Sequence, residues 1–433
     1  MSWVLVLGMA SAGVVGAAVG DVGRIDDAAE SSATSERIDR PVGDLVVAYD
    51  VGAVDQAVVD ALGAASRAAG GSSSTRRGGS VGLRRILRGS SVVHAPPSGY
   101  LIPMVFTSAS FDAHRGVYGL RIASVLGAGD AVVNELTAGL TGARVGDQLE
   151  LRTATGGTLR VRVGLVADDA AVGGSEIVID TAVAERLGFT EDISAVAWGF
   201  DRQRFDAEVA RLGLDARADT DVARSWDPFD PDWTLSTART KVMLGEPWYR
   251  VDPDGSIAMH PTWIGTYLTD GRVLLDPVIQ VRAQCHRQVV GDLSAALAEV
   301  AAAGLAAAIE VANANAYGGC FVPRYSRSSG YLSRHTYGMA FDTNTVSNCL
   351  GCRPVMHCDV VRIFRKHGFA WGGNFRRPDG MHFEWVGEPR HLVDFPSEYC
   401  PNVVGATVAG SAPRVGRSVL SFGVDAAGVS SPT

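Results

Sequence analysis

Alternation and periodicity of the apolar positions divide this chain into unequal parts. Residues 3–20 carry no charged side chain and are nearly all Val, Leu, Ala and Gly, a run close to the ~20 residues that cross a bilayer. Residues 21–40 turn polar and acidic, as a stalk would. Leu45, Val46, Val47 and Ala48 then read as a strand, and Val54, Val58, Val59 and Leu62 fall at helical spacing. Residues 66–92 are rich in Gly, Ser and Arg and read as a flexible insertion or linker. A short amphipathic helix is expected over 130–140. Beyond it Leu149 and Leu151 alternate with Glu150 and Arg152, and Gly156 and Gly157 supply a turn. Leu159, Val161, Val163 and Leu165 then alternate with Arg160, Arg162 and Gly164, which predicts a hairpin with one buried face. Residues 175–189 read as a strand and then a helix ended by Gly188.

In the second half, Asp292 is the expected N-cap of a helix whose Leu293, Leu297, Val300 and Ala301 share one face. A further helix over 359–366 closes at Gly368. Met339 to Asp342 reads as a short strand with Ala340 and Asp342 on one face. In 381–385 the alternation puts Met381, Phe383 and Trp385 on an apolar face, with His382 and Glu384 on the other. At 433 residues the chain exceeds one ordinary core. The expected layout is a signal peptide or membrane anchor (1–20), a stalk (21–40) and a β-rich α/β accessory domain (41–212, with the insertion at 66–92). An acidic, Pro-containing linker (213–232) leads to a second domain (233–402) and a disordered tail (403–433).

Composition narrows the partners. The net charge is −8, which argues against nucleic acid, since phosphate binding wants a basic face. The pairs Arg76-Arg77 and Arg84-Arg85 sit in the Gly/Ser stretch and read as solvated linker charge. All six cysteines lie beyond residue 280: Cys285, Cys320, Cys349, Cys352, Cys358 and Cys400. An even count in one region suggests a stapled domain in an oxidising compartment. The apolar 3–20 run agrees, as a signal peptide or an uncleaved anchor, although no Lys or Arg precedes it; a buried core helix is the alternative. Cys349-x-x-Cys352 with His357 and Cys358 could instead form a structural zinc knuckle. The short gap before His357 and the expected export favour disulfides. Cys285 and Cys320 flank the Asp292 helix and make a natural pair; the other connectivity is open.

Candidate chemistry lies in 324–344 and 371–385. Gly338 can turn the chain tightly after His335. Two neighbouring strands would then aim His335, Asp342 and His382 at one point. Two imidazoles and a carboxylate leave one position open on a tetrahedral zinc, the arrangement of a catalytic site. Asp379 precedes His382 across a Gly. Its carboxylate could take a proton from a zinc-activated water attacking a carbonyl, then return it to the leaving amine. Two His and two Asp in such a span also arise by chance, and a lone His is more often a hydrogen-bonded surface residue.

The order Ser333-x-His335-x-x-Gly338-x-Ala340-x-Asp342, followed by Asp379-x-x-His382, is similar to the zinc D-alanyl-D-alanine peptidases. These include VanY-type carboxypeptidases, VanX-type dipeptidases and phage L-alanyl-D-glutamate endolysins. The likeness runs upstream through "GGCFVPRYSRSSGYLS" and downstream through "GFAWGGNFRRPDGMHFEW", and covers a little over a third of the chain. It implies an α+β fold: a Hedgehog-like or D-Ala-D-Ala-peptidase-like zinc domain with a small antiparallel sheet and flanking helices, preceded by a β-rich N-terminal domain. It implies zinc as cofactor, held by His335, Asp342 and His382, with Asp379 as general base. Arg324 would steady substrate and oxyanion, with Arg327 as a rival. Ser333 would orient the substrate or the His335 loop, or make only a local turn hydrogen bond. Glu384 would either support a ligand or be a solvated strand residue. The implied substrate is the peptidoglycan stem peptide, outside the cell or on the outer face of the bacterial cytoplasmic membrane. D-Ala-D-Ala carboxypeptidase activity comes first. L-Ala-D-Glu endopeptidase activity, and a non-catalytic zinc module of the Hedgehog kind, are the alternatives. Residues 130–189, through "ARVGD" and their pattern, resemble MacB-type extracytoplasmic domains of bacterial ABC permeases, which implies an envelope protein partner.

Overall fold

The computed structural model describes residues 43–402 apart from 51, 218–219, 312–316 and 327–330. The apolar run at 3–20, the stalk and the tail lie outside the described residues, as does Arg327. Among the described residues no helix is long and apolar enough to cross a membrane.

The first half runs β1 (Leu45–Asp50), α1 (Gln56–Ala68), β2 (Ser72–Arg88), β3 (Ser91–His94), β4 (Ile102–Ala109), α2 (Phe111–Tyr118), α3 (Leu120–Gly127), β5 (Ala131–Asn134) and α4 (Glu135–Thr141). It continues with β6 (Gln148–Arg152), β7 (Thr158–Ala167), β8 (Ile177–Asp180), α5 (Thr181–Leu187), β9 (Ser194–Trp198), α6 (Arg202–Arg211) and β10 (Thr220–Arg224). Its strands form one sheet in the order β10-β1-β9-β2-β4-β8-β5-β7-β6, with β3 added on β2. Because β6 also pairs with β2, the path from β2 through β4, β8, β5, β7 and β6 returns to its start. A closed ring has no free edge along that path. Inside it pack Val81, Leu83, Met104, Phe106, Val133, Leu149, Val161 and Ile177. The hairpin expected at 149–165 is β6 and β7, with Leu149 opposite Val161.

Three expectations fail here for one reason: long-range pairing outweighs local composition. Residues 72–88 are the longest strand, not a linker. The glycines are there for close approach: a Cβ on Gly79 would stand 2.6 Å from Phe189, and one on Gly82 would stand 2.8 Å from Leu101. Two of the arginines are paired with carboxylates of neighbouring elements. Arg77 contacts Glu185 at 2.8 Å and Asp192 at 3.2 Å, and Arg85 meets Glu150. Residues 131–134, expected as helix, form β5 between β7 and β8, with Asn134 capping α4. Residues 220–224, expected as linker, are β10 on the outer side of β1.

The second half holds α7 (Thr237–Leu244), β11 (Tyr249–Val251), β12 (Ile257–Met259), α8 (Pro261–Tyr267), β13 (Val273–Asp276), β14 (Val281–Ala283) and α9 (Arg287–Ala302). It ends with β15 (Tyr317–Gly319), β16 (Ala340–Thr343), α10 (Cys358–Lys366), β17 (Phe369–Trp371) and β18 (His382–Trp385). A four-stranded antiparallel sheet, β15-β16-β18-β17, packs its apolar face on α9 and α10 through Phe341, Phe383, Phe364, Leu293 and Leu297. The α9 helix begins at Arg287, where the His286 ring accepts from Gln288 N. Asp292 is therefore no cap. It lies one turn inside the helix and accepts from Trp385 Nε1 at 2.7 Å, tying α9 to β18.

The described residues of both halves belong to one compact unit. Lys241 on α7 and Glu176 of the first half form an ion pair at 2.6 Å, and both side chains are essentially without solvent contact. The ammonium also donates to Pro103 O, and Glu176 accepts from Val105 N. Leaving either charge alone would strand it in apolar surroundings. Lys241→Met should therefore cost about 3–5 kcal/mol in urea unfolding, while Lys241→Met with Glu176→Leu should recover most of the loss. Equal losses in the single and double variants would show that packing, not the uncompensated charge, sets the cost.

Candidate metal centre

The site is built on one strand pairing. β16 and β18 run antiparallel with Asp342 opposite His382 and Ala340 opposite Glu384. The two-residue period sends Phe341 and Phe383 into the core and leaves these four residues on the other face. Ala340, small and buried, leaves room beside Asp342.

His335 arrives on a 3-10 turn, Arg334–Tyr337, preceding β16. Ser333 caps this turn, its hydroxyl accepting from His335 N, so it orients the His335 loop. Gly338 ends the turn at a φ of 67°, and a Cβ there would lie 2.9 Å from His286 N. Only glycine meets both demands. His335 Nδ1 faces Cys320 O at 3.2 Å. A carbonyl can only accept, so the proton sits on Nδ1 and the Nε2 lone pair is left for another partner. Nε2 is 3.1 Å from Asp342 Oδ2, is buried and makes no aligned hydrogen bond among the described residues.

His382 Nδ1 stands 2.9 Å from Asp342 Oδ1, and its Nε2 lies 3.5 Å from Glu384 Oε2. One ligand atom from each of His335, Asp342 and His382 lies within 4.8 Å of the others. The electrostatics fit a cation. Burial opposes charge on Asp342, but the facing imidazoles of His335 and His382 override it and hold the carboxyl well below the carboxylate range. Burial likewise opposes an imidazolium at His382, yet hydrogen bonds to Asp342 and Glu384 push its pKa up to about 10. A nitrogen-rich set with one carboxylate and an orphaned buried imidazole nitrogen suits a divalent metal of the zinc type.

Asp379 sits on the approach to β18. Its N–H donates to Gly372 O at 2.8 Å, and its carbonyl accepts from His382 N at 3.0 Å. Gly372 permits this approach, since a Cβ there would lie 2.6 Å from Asp379 O. Asp379 Oδ1 is buried and without a hydrogen-bond partner among the described residues. Burial raises its pKa and the charge of Asp342 adds to this, while His382, His335 and Arg324 pull the other way. Arg324 is thus close enough for its charge to act on Asp379. It lies on a hairpin arm closed by Ser333 N donating to Arg324 O and Ser326 N donating to Tyr331 O. Tyr331 rests against Val105 of the first half. Arg327 is outside the described residues.

Residues 326–385 match the model of a family described as D-alanyl-D-alanine carboxypeptidase. No curated protein matches the chain. The matched segment contains His335, Asp342, Asp379 and His382, whereas Arg324 stands just before it.

Around this segment the cysteines form Cys285–Cys320, Cys349–Cys352 and Cys358–Cys400, so the zinc knuckle is excluded. His357 instead caps α10. The first disulfide holds the carbonyl that fixes the His335 tautomer. Sequence reasoning missed Arg334, a buried arginine 3.1 Å from Glu384. The buried face shared by Glu384 and His382 signals that some cation must be near, but not which one.

The proton on His382 must leave before a metal can take Nδ1. Metal binding should therefore release a proton, and apparent affinity should rise about tenfold per pH unit through neutrality. Competition with a chromophoric chelator, using zinc as the probe ion, checks this. An affinity flat from about pH 6 to pH 8 would mean that His382 is already neutral in the metal-free site.

Proposed function

We propose that this chain is an exported zinc metallopeptidase that hydrolyses peptidoglycan stem peptides, acting as a D-alanyl-D-alanine carboxypeptidase. One observation carries the proposal: a buried Asp379 carboxylate oxygen, unpartnered among the described residues, beside the His335–Asp342–His382 centre, inside a segment that matches that peptidase family. A bare metal-binding module has no need of such a group.

His335 Nε2, Asp342 and His382 Nδ1 would hold the ion. Zinc, when bound, supplies a Lewis acid that polarises the scissile carbonyl and lowers the pKa of water to ~7. Asp379 takes a proton from the attacking water and delivers it to the leaving amine. Its raised pKa brings it nearer the range in which a carboxyl both accepts and donates at neutral pH. Arg324 stays charged and can grip a carboxylate or developing oxyanion with two hydrogen bonds; Arg327 is the second candidate for that grip. Ser333 keeps the His335 turn in place. The three disulfides support an oxidising, extracytoplasmic location. The apolar run at 3–20 supplies the signal or anchor, and the first half an envelope contact.

The test uses purified zinc-loaded protein and muropeptides read by mass spectrometry. Wild type should release D-Ala from a pentapeptide stem. Asp379→Asn should lower kcat by about 10²–10⁴-fold with zinc still bound. Cleavage between L-Ala and D-Glu would reassign the bond. Zinc binding without hydrolysis of any muropeptide would leave the non-catalytic module. Wild-type turnover by Asp379→Asn would remove Asp379 from the mechanism.

A further inference from the structure

His382 can offer a metal either ring nitrogen, and the fold has to choose one. Asp342 lies on its Nδ1 side, at 2.9 Å. On the Nε2 side stands Glu384, 3% exposed, with Oε2 at 3.5 Å, the outer limit of a hydrogen bond. A carboxylate facing Nε2 keeps the proton there, and the Nδ1 lone pair is then directed at the metal.

A buried carboxylate needs its own counter-charge. Arg334 supplies it, with Nε 3.1 Å from Glu384 Oε1. The rest of its guanidinium is fixed on residues outside the carboxypeptidase segment: Nη1 donates to Thr240 Oγ1 at 3.2 Å and Nη2 to Leu235 O at 2.5 Å. Thr240 is the neighbour of Lys241, whose buried pair with Glu176 pins α7 to the first half. The fork of Arg334 therefore has little freedom to turn, and neither does Glu384.

We propose that Arg334 and Glu384 are a positioning pair that selects the metal-binding tautomer and ring orientation of His382. This rests on reading His335, Asp342 and His382 as the metal centre. The alternative is that the pair only neutralises two buried charges. In that case removing both charges together leaves metal binding intact.

Three full-length proteins separate the two: wild type, Glu384→Gln, and Arg334→Met with Glu384→Leu. The double change exchanges the ion pair for apolar groups of similar size, so folding is kept while orientation is lost. Zinc affinity is measured by chelator competition, the ligand field by the visible spectrum of the cobalt-substituted protein, and folding by urea unfolding. The expected result is a zinc affinity lower by about 10–100-fold in the double variant, an altered cobalt spectrum and near wild-type stability. Glu384→Gln should fall in the same direction by a smaller factor, and it decides alone if the double variant does not fold. Zinc affinities within about twofold of wild type and superimposable cobalt spectra would overturn the pair's role and leave the metal centre standing. A wild type that binds no zinc would overturn both.

Discussion

The register between β16 and β18 is the constraint on which the site depends. With Asp342 opposite His382, two candidate ligand side chains from strands distant in sequence meet on one face. A slip of one residue would send both into the core and bring Phe341 and Phe383 out. The slip is prevented from the apolar side, where Phe341 and Phe383 interlock with Phe364. It is also prevented from the end, where Trp385 is bonded to Asp292. The packing that makes the core thus also places the candidate metal ligands.

Burial then sets the chemistry. Each ionisable group of the site is taken out of water, which opposes its charge, and each is answered by a different compensation. Asp342 is held ionised by two histidines, and Glu384 stands 3.1 Å from the Arg334 guanidinium. Asp379 has no such direct partner among the described residues and is the group whose carboxyl is raised. The three carboxylates share one neighbourhood and are separated into three roles by what faces them. A similar compensation operates behind the site. Asp232, buried with Arg365, accepts from Trp371 N and the Asn374 amide. This fixes the corner at Gly372 against which Asp379 rests.

The site was more legible in the sequence than the scaffold. Strict alternation over 381–385, Gly338 after His335 and small Ala340 before Asp342 are local signals, and each keeps its meaning in the fold. Residues whose environment comes from far along the chain were not legible. Gly78, Gly79 and Gly82 look like linker residues until Ile193, Phe189 and Leu101 pack over them. Val132 and Val133 suit a helix face as well as a strand, and only their pairing with β7 and β8 decides. Asp232, in a stretch read as linker, is a structural anion because Arg365 lies opposite. For the cysteines, sequence offered Cys285–Cys320 and left the remaining partners open, since loop closure gives no local signature.

The relation between the halves follows from the same contacts. The matched segment, residues 326–385, supplies His335, Asp342, His382 and Asp379, but not the groups that hold Arg334, which come from Leu235 and Thr240. The Arg324 hairpin leans through Tyr331 on Val105 in the first half. Glu176 and Lys241 lock that half to α7 without water. A spacer domain would meet its neighbour through a wet, weakly packed surface. Here the meeting surface carries a desolvated ion pair whose two charges are costly to separate. The first half is therefore better described as part of the foundation of the site than as a module tethered beside it.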